Sequence, residues 1–459
     1  MNPGLFGTNF TVIESAEIYT NSTELSNERF NILDKILSFE FTESLFSHTI
    51  YGSLILTDDS NFLNKNLLRT HGEILCEIKI KNIEDEIFEY IFVIGNVELE
   101  IKNEIADGAV AVLSLISRDF FRNLYRFKSK GYVNLPITDI IKQILNEELN
   151  TDIEMKEENF HNSDDKSTYG FTKIRPFEKI DILKQKAYSQ NPSVTSTYLF
   201  YENRDGYNFQ TFETIIMNNM KTKVEDYIYS QNMSQNKFTN PLFRGIKSFI
   251  PTSRNNNVTK ITNGLFSSEI YRFDFNTKRI SVEEFNLHDD SKDFKHIDNN
   301  VDGKINIKMT DSFREDIKKN GKYTYFIPWN SENTTTDYTY KHYQYSKPFL
   351  YLINENTLDI LIDGNLKLKL GNPVNISIWK NIMRAGNMNE DLLDTRYSGR
   401  YLIHTITNTI FKTDRKSPFL HESSVSLTRD WLNYEYGDNS NITNISNEVP
   451  VSDRTTYNV

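Results

Sequence analysis

One cysteine, Cys76, stands in 459 residues, so no intramolecular disulfide can form. A thiolate zinc site is excluded for the same reason, because it needs several cysteines held together. Cys76 lies in the alternating run Ile74, Cys76, Ile78, Ile80, which predicts a small buried core residue. No apolar run approaches the ~18 residues of a membrane helix, so no span is expected. The opening Met-Asn-Pro-Gly-Leu-Phe lacks the basic and apolar regions of a secretion leader. The Asn-x-Ser/Thr sequons at Asn21, Asn257 and Asn441 then read as chance in an asparagine-rich chain. Positive charge is also short: 52 Lys and Arg face 63 Asp and Glu, a net charge of −11. Gripping nucleic-acid phosphate needs clustered cations, so that class is disfavoured. An acidic chain that nucleic acid passes without sticking is allowed, as is any soluble acidic protein. The 18 glycines are dispersed, and no phosphate loop, dinucleotide fingerprint, nucleophile elbow or His-Glu-x-x-His helix occurs. Alanine is scarce, which does not suit a helical bundle.

What the chain has is aromatic and β-branched: 31 Phe and 25 Tyr accompany many Ile, Thr and Val. Such residues suit pleated, half-buried surfaces. Period-two alternation recurs through Phe10–Ile18, Leu37–Phe41, Ile50–Leu56, Ile74–Ile80, Phe88–Ile94, Val97–Ile101 and Ala109–Leu115. Seven such runs predict antiparallel strands in a barrel or sandwich, with Lys81–Glu86 as a hairpin loop. The period then changes. Ile137, Ile140, Ile141, Ile144, Leu145 and Leu149 predict a helix over Pro136–Leu149. Phe177, Ile180, Leu183, Ala187 and Tyr188 predict another over Pro176–Tyr188, each opened by a proline. The polar run from His161 to Thr168 between them reads as a loop. Thr197–Phe209 reads as a β-hairpin turning at Arg204-Asp205-Gly206. Strands resume at Leu265–Phe275, then Leu366–Leu370, Val374–Ile378, Arg400–Phe411 and Ser423–Arg429. The stretch His288–Tyr345 reads as a polar insertion, and the Asn/Ser/Thr-rich tail from Gly437 as an arm without core pattern.

The two β regions repeat. Phe92-Val-Ile-Gly-Asn-Val97 and Val112-Leu-Ser-Leu-Ile-Ser-Arg-Asp119 match Tyr401-Leu-Ile-His-Thr-Ile406 and Ser424-Val-Ser-Leu-Thr-Arg-Asp430. Upstream, Gly72 precedes Ile74, Cys76 and Ile78 as Gly371 precedes Val374, Ile376 and Ile378. A duplicated unit can act as two quasi-equivalent parts of a ring.

Candidate chemistry is thin. The nearest approach to a metal cluster is His288, Asp289, Asp290 and His296, and a solvated loop explains it better. His404 reads as a hydrogen-bonded sheet residue. The pairs Glu84–Glu86, Glu157–Glu158 and Asp164–Asp165 are expected by chance among 63 acidic residues. Arg118-Asp119 and Arg429-Asp430 read as structural ion pairs or interface groups. No catalytic, cofactor-binding or metal-binding residue is assigned, and no cofactor is expected.

The run Asp391–Ile406, centred on Ser398-Gly-Arg-Tyr-Leu-Ile403 and followed by Ser424–Asp430, resembles the C-terminal β-barrel of central baseplate hub proteins of contractile-tailed, T-even-type phages. Leu358–Val374 is similar to the preceding strands of that barrel, and Pro176–Leu183 with Ser196–Phe209 to the segment between the two tube-like domains. The family shares its architecture with the hub part of type VI secretion spike proteins. The resemblance, over roughly residues 10–432, implies a mainly β (α+β) fold. Its parts are a first tube-like antiparallel β-barrel over 1–117, a small α/β domain over 118–240, and a second barrel from 241–287 with 346–434. An insertion over 288–345 and a polar tail over 435–459 complete it. It further implies a homotrimer whose barrels form a pseudo-sixfold ring in the virion tail baseplate. The partners would be the tail spike, tube or tube-initiator proteins and wedge proteins. DNA would pass unbound, the lumen would be acidic, and the spike would be a separate polypeptide. Two alternatives stand beside it. One is a wedge or glycan-binding tail module with a groove around Trp329, Tyr338, Tyr340 and Tyr343. The other is a cell-wall hydrolase, which needs two carboxylates about 5–9.5 Å apart in a cleft.

Overall fold

A computed structural model describes residues 11–20, 29–58, 72–82, 84–100, 109–163, 166–189, 196–219, 224–230, 245–253, 257–290, 310–329, 342–383, 389–394, 396–414 and 417–429. The first strands are β1 (Val12–Thr20), β2 (Phe30–Asn31), β3 (Ile36–Ser44), β4 (Tyr51–Asp58), β5 (Ile74–Lys81), β6 (Ile87–Glu100) and β7 (Ala109–Ser117). After them come helix α1 (Arg118–Tyr125), β8 (Lys128–Pro136), α2 (Ile137–Gln143), β9 (Lys166–Ile174), α3 (Pro176–Lys186), β10 (Tyr198–Asn203), β11 (Gly206–Thr211) and α4 (Phe212–Asn219). The remaining strands are β12 (Glu225–Ser230), β13 (Ile246–Ser253), β14 (Ser267–Asp274), β15 (Ile280–Asn286), β16 (Tyr323–Trp329), β17 (Asn356–Asp363), β18 (Pro373–Met383), β19 (Asn389–Leu393), β20 (Gly399–Phe411) and β21 (Leu420–Arg429).

The fold is mainly β. Fourteen strands share one sheet, with the path β13-β17-β21-β20-β3-β4-β7-β6-β5-β1-β2, and β18 joins β20 while carrying β12 and β19. No closed barrel is defined by this path. Its two halves nevertheless contribute to separate apolar clusters. One holds Ile13 and Ile18 of β1 with Phe39, Phe41, Leu54, Cys76 and Phe92. The other holds Leu358, Ile360, Val374, Ile376, Tyr401, Ile403 and Leu427. A third cluster lies under α2 and α3 and the hairpin β10–β11, with Ile140, Ile144, Phe177, Leu183, Phe200 and Phe209. Cys76 is fully buried in the first cluster, and burial pushes its thiol up to about 12.

Several expectations need correction. Phe88–Ile94 and Val97–Ile101 read as two strands, but β6 is continuous through Glu100, with a bulge between Ile94 and Asn96 that breaks the alternation. A bulge between Ile13 and Ser15 likewise flips the phase of β1, so Ile13 is buried and Val12 points out. The predicted loop from His161 to Thr168 ends early: Lys166-Ser-Thr168 open β9, which pairs with β8. The polar stretch 288–345 contains the helix Asp311–Asn320 and the strand β16, which lies parallel to β14. Parallel partners distant in sequence leave no hairpin signal to read. Helix α2 begins at Ile137, one residue later than predicted because Pro136 closes β8, and continues through a π-turn, Ile144–Leu149, which keeps Ile144, Leu145 and Leu149 on the buried face.

Candidate functional site

The repeat seen in the sequence reappears as strand order. Row one runs β3-β4-β7-β6-β5, and row two runs β13-β17-β21-β20-β18. Every step is antiparallel in both rows. The irregularities coincide as well. A bulge falls at Leu37 in Ile36-Leu-Ser38 and at Lys247 in Ile246-Lys-Ser248. Another falls at Gly95 in Ile94-Gly-Asn96 and at His404 in Ile403-His-Thr405. Bulges re-aim a strand, and four at matched places fix one register for both rows. That register sets Phe39 against Phe249, Leu54 against Ile360, Leu115 against Leu427 and Val93 against Leu402. It corrects one alignment: Val374 pairs with Tyr401 as Cys76 pairs with Phe92, so Val374 matches Cys76 and not Ile74.

The rows meet along β3 and β20, from Thr405–Ser44 to Phe411–Ser38. On the core side of this seam, Ile406, Asn408 and Ile410 face Glu43, Phe41 and Phe39, all buried. On the other side hydroxyls pair across it: Thr42 with Thr407 at 2.9 Å and Ser44 with Thr405 at 2.8 Å, while Thr409 donates to Glu40 at 3.1 Å. That side continues over β21 and β17 through Ser424, Ser426, Glu422, Asp359 and Asp363. It is mainly a hydroxyl and carboxylate surface, interrupted by Leu361 and Ile250, with Lys247 pairing Asp363 and Glu422, each at 2.8 Å.

A clamp holds the rows from behind. The hairpin β10–β11 turns at Arg204-Asp205, and Gly206 completes it with φ 115°. A Cβ there would sit 2.2 Å from the Glu154 carbonyl oxygen, so glycine is required. The freed Arg204 lies 3.7 Å from Glu43 of β3, donates to the Leu368 carbonyl at 2.7 Å, and covers the Phe88 ring at 5.4 Å. Asp205 pairs with Lys369 at 2.7 Å. One turn thereby ties row one to the segment between β17 and β18. Burial raises the Glu43 carboxyl above its usual range, and the Arg204 cation opposes that.

Beside the clamp is a cleft of about 300 Å³, lined by Tyr90, Ser117, Arg118, Asp119, Glu202 and Arg204 among others. Glu202 accepts the Ile50 N–H at 3.0 Å, and burial pushes its carboxyl up to about 8. Asp119, also raised by burial, accepts from Tyr207 at 3.0 Å and from Thr151 and Arg122. A cleft with shifted carboxyls is where a hydrolase would be sought. Here Asp119 spends both oxygens on structural bonds, and Glu202 anchors the start of β4. Asp119 is thus the structural group its sequence suggests, paired with Arg122 and not with Arg118, whereas sequence reading missed Glu202, because a buried acid inside Tyr198–Asn203 differs from its neighbours only by interrupting the apolar run.

The residues singled out in the sequence scatter. Asp289 pairs with Lys318 at 2.8 Å, and His296 lies outside the described residues, as do Asp164, Asp165, Tyr338, Tyr340 and Asp430. Among the described residues no group of three or more His, Cys, Asp or Glu could hold a metal ion. Glu84 pairs with Lys367, and Glu157 with Lys142 at 2.6 Å. His404 occupies the β20 bulge with Nδ1 2.9 Å from the Thr405 hydroxyl, and burial lowers its pKa to about 4. Arg118 opens α1 and bonds Glu73 at 2.5 Å and Asp152 at 2.6 Å. Arg429 instead ends β21 and donates to the backbone carbonyls of Ser398 and Arg396, so the two arginines differ in role. Tyr343 meets Tyr325 with ring centroids 4.9 Å apart.

No protein-family model matches the chain, and no curated protein sequence matches it. Solved structures do. The tail protein from Neisseria meningitidis MC58 superposes with a TM-score of 0.51 at 8% identity, over 93% of this chain and 97% of that one. The chain has the fold of that tail protein. The prophage MuSo2 43 kDa tail protein from Shewanella oneidensis gives 0.48 at 9% identity, over 91% and 98% of the two chains. A type VI secretion component of E. coli, described as structurally similar to the T4 tail proteins gp27 and gp5, gives 0.41 at 9% identity, over 86% and 73%. Identity is this low throughout, so what is shared with the Neisseria tail protein is the fold, and it extends over nearly the whole of both chains.

Proposed function

We propose that this chain is the structural hub of a phage tail baseplate, a homotrimer whose two rows per chain supply six similar units to one ring. The observation that carries the reading is the duplication itself: two rows of identical strand order and matched bulges, joined edge to edge. Units of one shape joined by a repeating rotation close into a ring when that rotation divides a full turn, and three two-unit chains give six positions. Such a ring can match a threefold spike on one side to a sixfold tail tube on the other, with wedge proteins around it. In this reading each row is a tube-like barrel, over 1–117 and over 241–287 with 346–434. The 118–240 segment fills the space between them, and 288–345 is an insertion on the second. The non-core side of the seam lines the channel. Its Ser, Thr, Asp and Glu side chains would let DNA pass without gripping phosphate, as the net charge of −11 also favours. The protein acts mechanically in the virion tail, without cofactor or catalysis.

The reading is tested by mass in solution. Light scattering on the purified chain is expected to give three times 53.8 kDa. A monomer at micromolar concentration would overturn it.

A further inference from the structure

The seam inside the chain leaves its own pattern unfinished at two places. In row two, β20 pairs with β18 only as far as Leu402, and its second half, from Thr405, is covered by β3. In row one, β6 pairs with β5 only as far as Val93, the residue matched to Leu402. Its second half, from Asn96, has β7 on one side and, among the described residues, no strand on the other. The counterpart of β3 is β13, which pairs with β17 and ends the sheet path. A single bridge, Ile228–Gly245, touches the chain just before its start, and among the described residues no strand pairs with Ser248–Ser253 along the outer edge. Among the described residues the molecule therefore carries both halves of a seam, apart, on two open edges.

We infer that β13 of one copy pairs antiparallel with the second half of β6 of the next copy, in the register of the β3–β20 seam. This rests on the ring reading above and supplies its joint. Transferring the register places Glu98 opposite Thr252, Leu99 opposite Pro251 and Glu100 opposite Ile250. Three features agree with it. In the seam the odd residues of β3 face β20, as Leu45 N–H to His404 O and Lys412 N–H to Leu37 O establish, each at 2.9 Å. By the same count the N–H of Val97 points to the open edge, and its bond is a local one, to the side chain of Asn96 at 2.9 Å. Open strand edges hold unpaired backbone groups that favour addition of another strand. Ile250, opposite the open edge of the next copy, is an apolar side chain left 65% exposed. Pro251, matched to Phe41, removes one outward donor, as edge prolines do. The joint would thus make one bond fewer than the seam, and would be discouraged from accepting other strands.

The test uses the full chain. Glu98 and Thr252 correspond to Thr407 and Thr42, whose side chains touch and whose pair is of the non-hydrogen-bonded kind, with Cα atoms about 4.5 Å apart, within disulfide reach. Cys76 is buried and stays out of the reaction. The double variant Glu98→Cys with Thr252→Cys, oxidised and run on a non-reducing denaturing gel, should give covalent dimers and trimers. Glu98→Cys with Ile250→Cys, two residues out of register, should crosslink at least tenfold more slowly. As a check that needs no variant, the amides of Val97 and Leu99 should exchange hydrogen far more slowly in the assembled protein than on dilution to the monomer. A three-chain mass without the Glu98–Thr252 crosslink, or with Val97 and Leu99 exchanging freely, overturns the joint and leaves the ring. A monomeric wild type overturns both.

Discussion

Lys179 and Glu148 form an ion pair at 2.6 Å with neither side chain exposed, and the Tyr132 hydroxyl donates to the same carboxylate at 2.6 Å. This pair pins α3 to the π-turn after α2. Removing one partner strands a buried charge, so Lys179→Met should cost about 3–5 kcal/mol in urea unfolding. Lys179→Met with Glu148→Leu should recover most of that loss; a double variant no better than the single one would contradict the assignment. Glu202 makes a prediction in pH. Its folded carboxyl sits at about 8, above the usual carboxylate range, because burial penalises the charge. The folded state therefore holds a proton that the unfolded chain has released. Its stabilising effect is complete at pH about 4 and is lost as pH rises toward about 8, by up to a few kcal/mol. Glu202→Gln should flatten that slope, and an unchanged pH profile would show that Glu202 does not govern it. Neither acid could be recognised from sequence. His421 was equally hidden: Thr11 lies 2.7 Å from its Nδ1 and Asn408 3.1 Å from its Nε2, an arrangement between β20, β21 and the first described residue that no local spacing announces.

At the scale of elements, alternation and helical period were strong guides wherever neighbours in sequence are neighbours in space. The strands β3 to β7, the helices α2 and α3 and the hairpin β10–β11 were legible for that reason. Bulges were the main source of error, because one extra residue inverts the period-two signal, as at Glu14 and Gly95. Parallel partners, β12 with β18 and β14 with β16, were invisible because nothing local selects them. Close approach of strands also leaves glycine signals that only the fold explains. A Cβ on Gly364 would lie 2.0 Å from the His421 ring, so Gly364→Ala should displace His421 and cost about 1–3 kcal/mol by thermal unfolding. A variant as stable as the wild type would show the ring free to move. The edge strand yields a prediction of opposite sign: Pro251→Thr restores an N–H at the proposed joint, so dissociation on dilution should shift to lower concentration. An unmoved dissociation curve would count against the joint.

The whole molecule is best understood as one unit used twice. Its repeat was legible because the turn glycines Gly72 and Gly371, the alternating strands and the closing Ser-Leu and Arg-Asp pattern recur in both copies. The seam between copies was not, since strand pairing 360 or more residues apart writes no pattern. In the proposed ring the seam matters most, because it shows how one unit joins the next and which edges the joint between chains would use. The most direct measurement is a cryo-EM reconstruction of the purified chain without imposed symmetry. The account predicts a ring of three chains in which six similar lobes surround an open channel, with continuous strands crossing every lobe boundary. A twofold dimer, or a threefold particle whose two rows lie at different radii, would contradict it.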